Sequence, residues 1–537
     1  MQTVSPARKA AIEPSSFEVE GRASLLTLSE EERRFRSVWH LSTLRAFANL
    51  LKTMVGAGVL TLPQATMQFG ILASLVGVVL AGYLSAIAII LAIECNARVA
   101  DTLGERPRGA DVARQAEDIE EGTWQRIARA ACGRLGVALV TSAILVAQLG
   151  VCAAYFDFIV MTLVDHMGLS HPRAIATTWV LMTLVSMPRQ LKSVAVLSMV
   201  GLLTYTYVLL LLGHFASEAL DCGAMANTTF TQIECALVSE KIRGTAPICH
   251  IGIRPQPVLM RLEGFGAWFG PTIFAFEGMG TALGIYDAVV ASTQDRAPFG
   301  TSSSDVRRAA DASFCVVVYS AYFCGVVLYI SVGTIGYLAW GELVPGAIID
   351  AFPHGVARDS GESVLAAVLG LTFALQMNPV WALLEPMLLR KDPCKMAWPL
   401  LRAGVVGLIC VGCWLVPEVD GMVAISGSIG FSLLGFILPG LFYLRISALS
   451  TSKIINHTSD GQASAAKRRW WHSVNAIAFC HPQGRGRDAL LGAPTTWRVT
   501  VKRAVSVVLL AVGLTGSILG VAAIFADSSK PFVFPEC

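Results

Sequence analysis

Charge is scarce in this chain. Of 537 residues only 15% are charged and 54% are hydrophobic, where soluble chains carry roughly 25% charged residues. With a mean hydropathy of +0.60, that scarcity excludes an ordinary water-soluble domain. A net charge of +3, dispersed along the chain, is too small to grip a polyanion and excludes a nucleic-acid partner. Residues 1–43 have no apolar h-region, so they read as a cytosolic tail and not as a cleaved secretory signal. Enzyme signatures are missing as well: no HExxH, GxSxG or GxxxxGKS/T run is present, and His214 reads as an ordinary interface or core histidine. Most of the 13 cysteines are scattered through apolar or cytosolic stretches and read as small packing residues, so neither a metal nor an organic cofactor is expected.

What the chain does have is a series of apolar runs of membrane-spanning length, about 20 residues each. They lie at about 44–69, 71–94, 135–164, 173–188, 191–214, 265–288, 312–338, 362–389, 398–417, 421–447 and 501–526. The expected fold is therefore an all-α polytopic membrane protein with about 11 transmembrane helices. Its divisions are a tail over 1–43, a core over 44–448, a cytosolic loop over 449–500, an eleventh helix and an outer tail over 527–537.

Orientation follows from lysine and arginine. With the N-terminus in the cytosol, the inner segments hold about 32 of the 41 basic residues, as the positive-inside rule requires. The C-terminus and the loop over 215–264 then face outward or into a lumen. That loop carries Cys222, Cys235 and Cys249 and the sequon at Asn227, so two of the three thiols are expected to pair and Asn227 to accept a glycan. The chain is thus expected in the plasma membrane or a lysosome- or vacuole-type membrane.

Two of the apolar runs are interrupted. The first contains Lys52, Val55, Gly56, Ala57, Gly58, Val59, Leu60 and Pro63; the sixth contains Gly270, Pro271, Phe274, Ala275, Phe276, Glu277 and Gly278. Unsatisfied backbone in hydrocarbon costs several kcal/mol, so irregular chain at this depth must face protein or a watery cavity. Paired broken helices are where secondary transporters bind their substrates. Spans one and six are five helices apart, which makes them corresponding positions if 44–214 and 265–447 are inverted repeats, with span eleven an addition outside that core.

Gly56-Ala57-Gly58-Val59-Leu60 with Leu62-Pro63, and Phe274-Ala275-Phe276-Glu277-Gly278, resemble the first- and sixth-helix motifs of the amino acid/auxin permease family, within the amino acid–polyamine–organocation superfamily. Pro188 to Lys192, Gly336-Tyr337 with Gly341, and Val416-Pro417 with Gly427-Ser428 extend the resemblance over roughly residues 40–450. The resemblance implies a LeuT-like five-plus-five inverted repeat and uptake or exchange of amino acids, driven by protons or, less often, sodium.

The physical chemistry of the breaks agrees. Free amides at Gly58, Val59 and Leu60, at a positive helix end, suit a carboxylate. Carbonyls around Met54, Val55, Phe274 and Ala275 suit an ammonium, so an amino acid zwitterion matches both sets. The side-chain pocket would draw on Gln148, Tyr155, Gln376 and Asn378, with Phe274 and Phe276 as candidate lining or gating rings and Asp157 toward the outer, partly solvated end of its span. Glu277 is the candidate for binding and releasing a proton, for attracting a cationic substrate side chain, or for pairing with Lys52. Lys52 itself reads first as a snorkelling residue. Sodium would draw on Asn378 and exposed carbonyls. The other reading of the chain is an amino acid sensor that signals through its cytosolic segments, where Lys467 to His472 reads as a lipid-headgroup contact.

Overall fold

The computed structural model describes residues 41–104, 122–187, 194–225, 257–298, 301, 303–353, 355–389, 397–415, 419–457 and 495–527. Cys235, Cys249, Asn227, Pro188 to Lys192, the Lys467 to His472 cluster and nearly all of both tails lie outside these residues, as does the side chain of Cys222. Among the described residues every regular element is helical.

The first span is α1 (Leu41–Met54) and α2 (Gly58–Phe69); α3 is Ile71–Gly104, α4 Thr123–Met167, α5 His171–Val185 and α6 Val194–Met225. The sixth span is α7 (Phe265–Ala275) and α8 (Met279–Asp295), followed by α9 (Ser303–Trp340), α10 (Val356–Leu388) and α11 (Ala397–Leu415). The tenth begins as α12 (Val419–Ile425), widens into π-helical turns at Ser426–Phe431 and Leu433–Ile437, and ends as α13 (Leu438–His457); α14 is Thr495–Asp527. Eight of these segments are long and apolar enough to cross a membrane unaided, and α1 with α2, bent by 54°, makes a ninth. α5, with 15 residues, and α6 occupy the expected fourth and fifth places, so the order of helical segments is the one read from the sequence.

Local chemistry sets the boundaries. α4 is longer than its membrane run because a leading helical stretch over 123–132 joins, across a kink at Gly133 where φ is 61° and ψ −142°, the apolar stretch that begins near residue 135. It ends on Gly168, whose left-handed conformation returns its N–H to the Val164 carbonyl at 3.1 Å.

Close approach of backbones then positions the breaks. α2 packs on α7, α4 runs along α10, and α9 lies against both halves of span one. A Cβ at Gly336 of α9 would sit 2.6 Å from the Pro63 ring, so two of the motif positions in the sequence meet in space. Span eleven is not peripheral to the core: α14 packs directly on α7 and on the π-helical part of span ten, with Gly516 against the Phe269 ring and Gly266 against the Leu519 carbonyl. Its remaining surface is open, and only 22% of its apolar window is buried, as suits a helix with one face toward lipid.

Charge is concentrated in clusters toward helix ends. Glu94 binds Arg98 at 2.6 Å and Lys502 at 2.7 Å, tying α3 to α14, and Arg98 also lies over the Tyr443 ring. Glu385 of α10 accepts from Arg402 of α11 at 2.7 Å. At the opposite end His166 of α4 meets Glu362 of α10 at 2.9 Å.

Candidate functional site

The break in span one covers Val55, Gly56 and Ala57, and that in span six covers Phe276, Glu277 and Gly278. Glycine lets them meet. A Cβ at Gly58 would lie 2.6 Å from Phe274 Cδ1 and 3.1 Å from the Ala275 Cα, so any side chain there would collide with the other broken span. Gly278 faces Leu50 and Met54 of α1 at 3.1 Å in the same sense. Val55, Ala57, Val59 and Leu60 are all buried against this crossing.

Glu277 projects from the second break onto the first. Its Oε1 lies 2.8 Å from the position a Gly56 Cβ would take, with the Tyr155 hydroxyl 3.0 Å from that same point. Gln376 of α10 donates through Nε2 to Glu277 Oε1 at 3.4 Å, while Oε2 is buried without a hydrogen-bond partner. The carboxylate is only 3% exposed. Three side-chain candidates, from spans six, three and eight, therefore bear on one small volume beside Gly56. Tyr155 and Gln148 are seven residues apart on α4, which puts them on one face. Gln148 is buried against Gly280 of α8, its Nε2 2.7 Å from where a Cβ would be, and its Oε1 is without a partner.

Several expectations need correction. Asn378 is exposed and does not reach this cluster: two residues beyond Gln376 it is turned about 200° round the helix, onto the stripe of Val364 and Leu371, which are 43% and 47% exposed. Asp157 is not partly solvated but 2% exposed, because α11 covers α4 there and Cys413 donates to the Ala153 carbonyl at 3.3 Å. The expectation that no cysteines are spaced as CxxC is wrong, since Cys410 and Cys413 are, and both are free thiols. Lys52 does not snorkel: it is 9% exposed, with Cε 3.2 Å from the position of a Cβ at Gly201 of α6, and it makes no ion pair with Glu277 within 4.0 Å, though the two charges interact at longer range. His214 is exposed and faces Glu218 one turn on at 3.5 Å.

The backbone departs from expectation too. The amides of Val59 and Leu60 are not free: they donate to the Gly56 and Ala57 carbonyls, each at 3.1 Å, because a break of three residues closes on itself with i to i−3 bonds. Gly58 alone of the three expected amides makes no such bond. The Met54 and Ala275 carbonyls also have company. The hydroxyl of Tyr329, on α9, lies 2.6 Å from the first and 2.5 Å from the second. Nothing in the sequence marks Tyr329, since it belongs to no motif and lies outside both breaks.

The two phenylalanines differ in setting. Phe274 meets Phe431 edge-on at 5.7 Å and covers Gly58. Phe276 lies parallel to Tyr322 at 5.7 Å and edge-on to Tyr329 at 4.8 Å, so it packs toward span seven. No group of three His, Cys, Asp or Glu side chains that could hold a metal occurs among the described residues. The site thus offers one buried carboxylate, the Gln376 side-chain amide, hydroxyls and helix-end carbonyls: acceptors for a cationic group, and the open Gly58 backbone amide for an anionic one.

The family model described as "Transmembrane amino acid transporter protein" matches residues 40–458. The chain is similar to amino acid transporter AVT3B of Arabidopsis thaliana, at 28% identity over 414 residues, 75% of this chain and 85% of that protein. It is similar also to AVT3C of the same plant, at 25% identity over 415 residues, 75% of this chain and 83% of that one. Among solved structures, a mutant manganese transporter of Eremococcus coleocola aligns with 91% of this chain and 96% of its own, at 12% identity and a TM-score of 0.41.

Proposed function

The chain belongs to the transmembrane amino acid transporter family, and from that premise we propose that it is a secondary active transporter that binds its amino acid where the two broken spans cross. The observation that carries this reading is the convergence of Gly56, Glu277, Tyr155 and Gln376, from spans one, six, three and eight, on one buried point. The substrate carboxylate is received at the start of α2, where Gly58 keeps an open amide at a positive helix end. The ammonium is received by the carbonyl ends of α1 and α7. Alternating access then consists of the α1 and α8 ends moving relative to α4 and α10 around this fixed point.

Coupling by protons or exchange is favoured over sodium. Glu277 is buried, has an oxygen without a partner and forms no ion pair within 4.0 Å with Lys52, which suits a proton carrier at this depth. Asn378, the side chain on which a sodium site would draw, faces away. We place the N-terminus in the cytosol on the lysine and arginine asymmetry, in a plasma or lysosome- or vacuole-type membrane.

Counterflow in proteoliposomes with a panel of labelled amino acids tests the reading. The expected result is saturable uptake of a subset, accelerated by an inward proton gradient and not by a sodium gradient. Binding without flux, or flux that only sodium drives, would sink it.

A further inference from the structure

Tyr329 stands outside both breaks, yet it touches the last carbonyl of each first half. Its hydroxyl oxygen, the Met54 carbonyl oxygen and the Ala275 carbonyl oxygen converge at 2.6 and 2.5 Å. Among these three oxygens there is one O–H proton, and a hydroxyl gives one full hydrogen bond at a time. The set is therefore rich in acceptors and short of donors. All three residues are buried, at 0, 1 and 1% exposure for Met54, Ala275 and Tyr329, so bulk water does not supply the missing donors.

The ring of Tyr329 is held in place. It meets Phe276 at 4.8 Å and 62°, and Phe276 lies against Tyr322 at 5.7 Å and 12°. Phe276 sits between Ala275 and Glu277 in the chain, so the ring that fixes Tyr329 is part of the same break that carries the site carboxylate.

We propose that Tyr329 is a specificity-determining residue for the ammonium group of the substrate: its hydroxyl and the Met54 and Ala275 carbonyls form a three-oxygen set suited to the three N–H donors of a primary amine. This rests on the reading that an amino acid binds where the breaks cross. A primary ammonium supplies one proton per oxygen, and each N-methyl group removes one. The Tyr329 hydroxyl touches the two carbonyls and not the Gly58 amide, so its removal is expected to act on the amine end of the ligand.

The test uses the full-length protein in proteoliposomes, with the amino acid found by counterflow and its N-methyl, N,N-dimethyl and deaminated analogues as competitors. Wild-type protein is expected to bind the series progressively more weakly as N–H donors are lost. Tyr329→Phe keeps the ring on Phe276 and removes only the hydroxyl. It is expected to raise KM for the amino acid about tenfold, the size of one lost hydrogen bond to a charged group, with the inhibition constant of the deaminated analogue and the saturated rate little changed. Tyr322→Phe is the control, since the Tyr322 hydroxyl has no partner, and its selectivity should match the wild type. An unchanged preference for primary amine in Tyr329→Phe, or a loss confined to the saturated rate, overturns the proposal. If that variant does not fold, a wild-type series that is flat in N-methylation overturns it as well. Wild-type protein that carries no amino acid overturns the reading of the site together with the proposal, whereas wild-type uptake with unaltered selectivity in the variant overturns the proposal alone.

Discussion

The two breaks do the same thing to a helix by different means. In span one, Val55, Gly56 and Ala57 interrupt the helix with little side chain, and together with Gly58 at the start of α2 they contribute backbone: an open amide at Gly58 and surfaces close enough for another span to touch. In span six the break is Phe276, Glu277 and Gly278, where two large side chains leave the turn in different directions, one carboxylate toward Gly56 and one ring toward Tyr322 and Tyr329. The first break is a socket and the second supplies what enters it. The difference teaches that the glycines in span one are required by Glu277 and Phe274 across the gap as much as by the bend itself.

The sharpest way to break that comparison is to give the socket a side chain. Gly58→Val places carbon against Phe274 and the Ala275 backbone, where a Cβ already comes within 2.6 and 3.1 Å. Uptake should fall by roughly a hundredfold or more, with a lowered melting temperature from overpacking worth about 1–3 kcal/mol. Normal uptake by a variant inserted at wild-type levels would remove the crossing from the site.

Gly56→Ala is subtler, because its new methyl meets the flexible end of Glu277 at 2.8 Å and not backbone. The fold should survive, with wild-type thermal stability, while displacement of the carboxylate lowers uptake by about tenfold, as small misplacements in a preorganised site do. A variant with full activity would show that Glu277 need not lie over Gly56.

Glu277→Gln leaves the shape of the second break and removes its charge. Uptake driven by a proton gradient should be lost while exchange of substrate across the membrane persists, measured as counterflow at several pH values. Retention of the wild-type pH profile and substrate range would make Glu277 structural. At the small end, Asn378→Ala should change uptake by less than about twofold, since an exposed substitution of this kind usually costs within about 0.5 kcal/mol. A large effect there would mean that α10 turns its outer face to the substrate during the cycle.

Much of this was written in the linear chain. Glycine, proline and a carboxylate inside apolar runs locate both breaks, because lipid penalises irregular backbone so heavily that such residues persist only for a reason. Tyr155 and Gln376 were legible as rare polar side chains in spans three and eight. Asn378 was not distinguishable from Gln376 by composition, and only the angular position on α10 separates them. Lys52 and Asp157 misled for a related reason: a charge near a helix end reads as solvated, and whether a neighbouring helix covers it depends on α6 in one case and α11 in the other.

The sequence by itself determined that this is a polytopic helical membrane protein with breaks in its first and sixth spans, since hydropathy, glycine and proline act over a few residues at a time. The tertiary structure decided what fills those breaks. Tyr329 lies 275 residues from Met54 and 54 from Ala275, and α14 joins α7 from the far end of the chain. Contacts of that kind depend on which helix faces pack together, and a pattern with a period of 3.6 residues shows that a face is buried without showing against what.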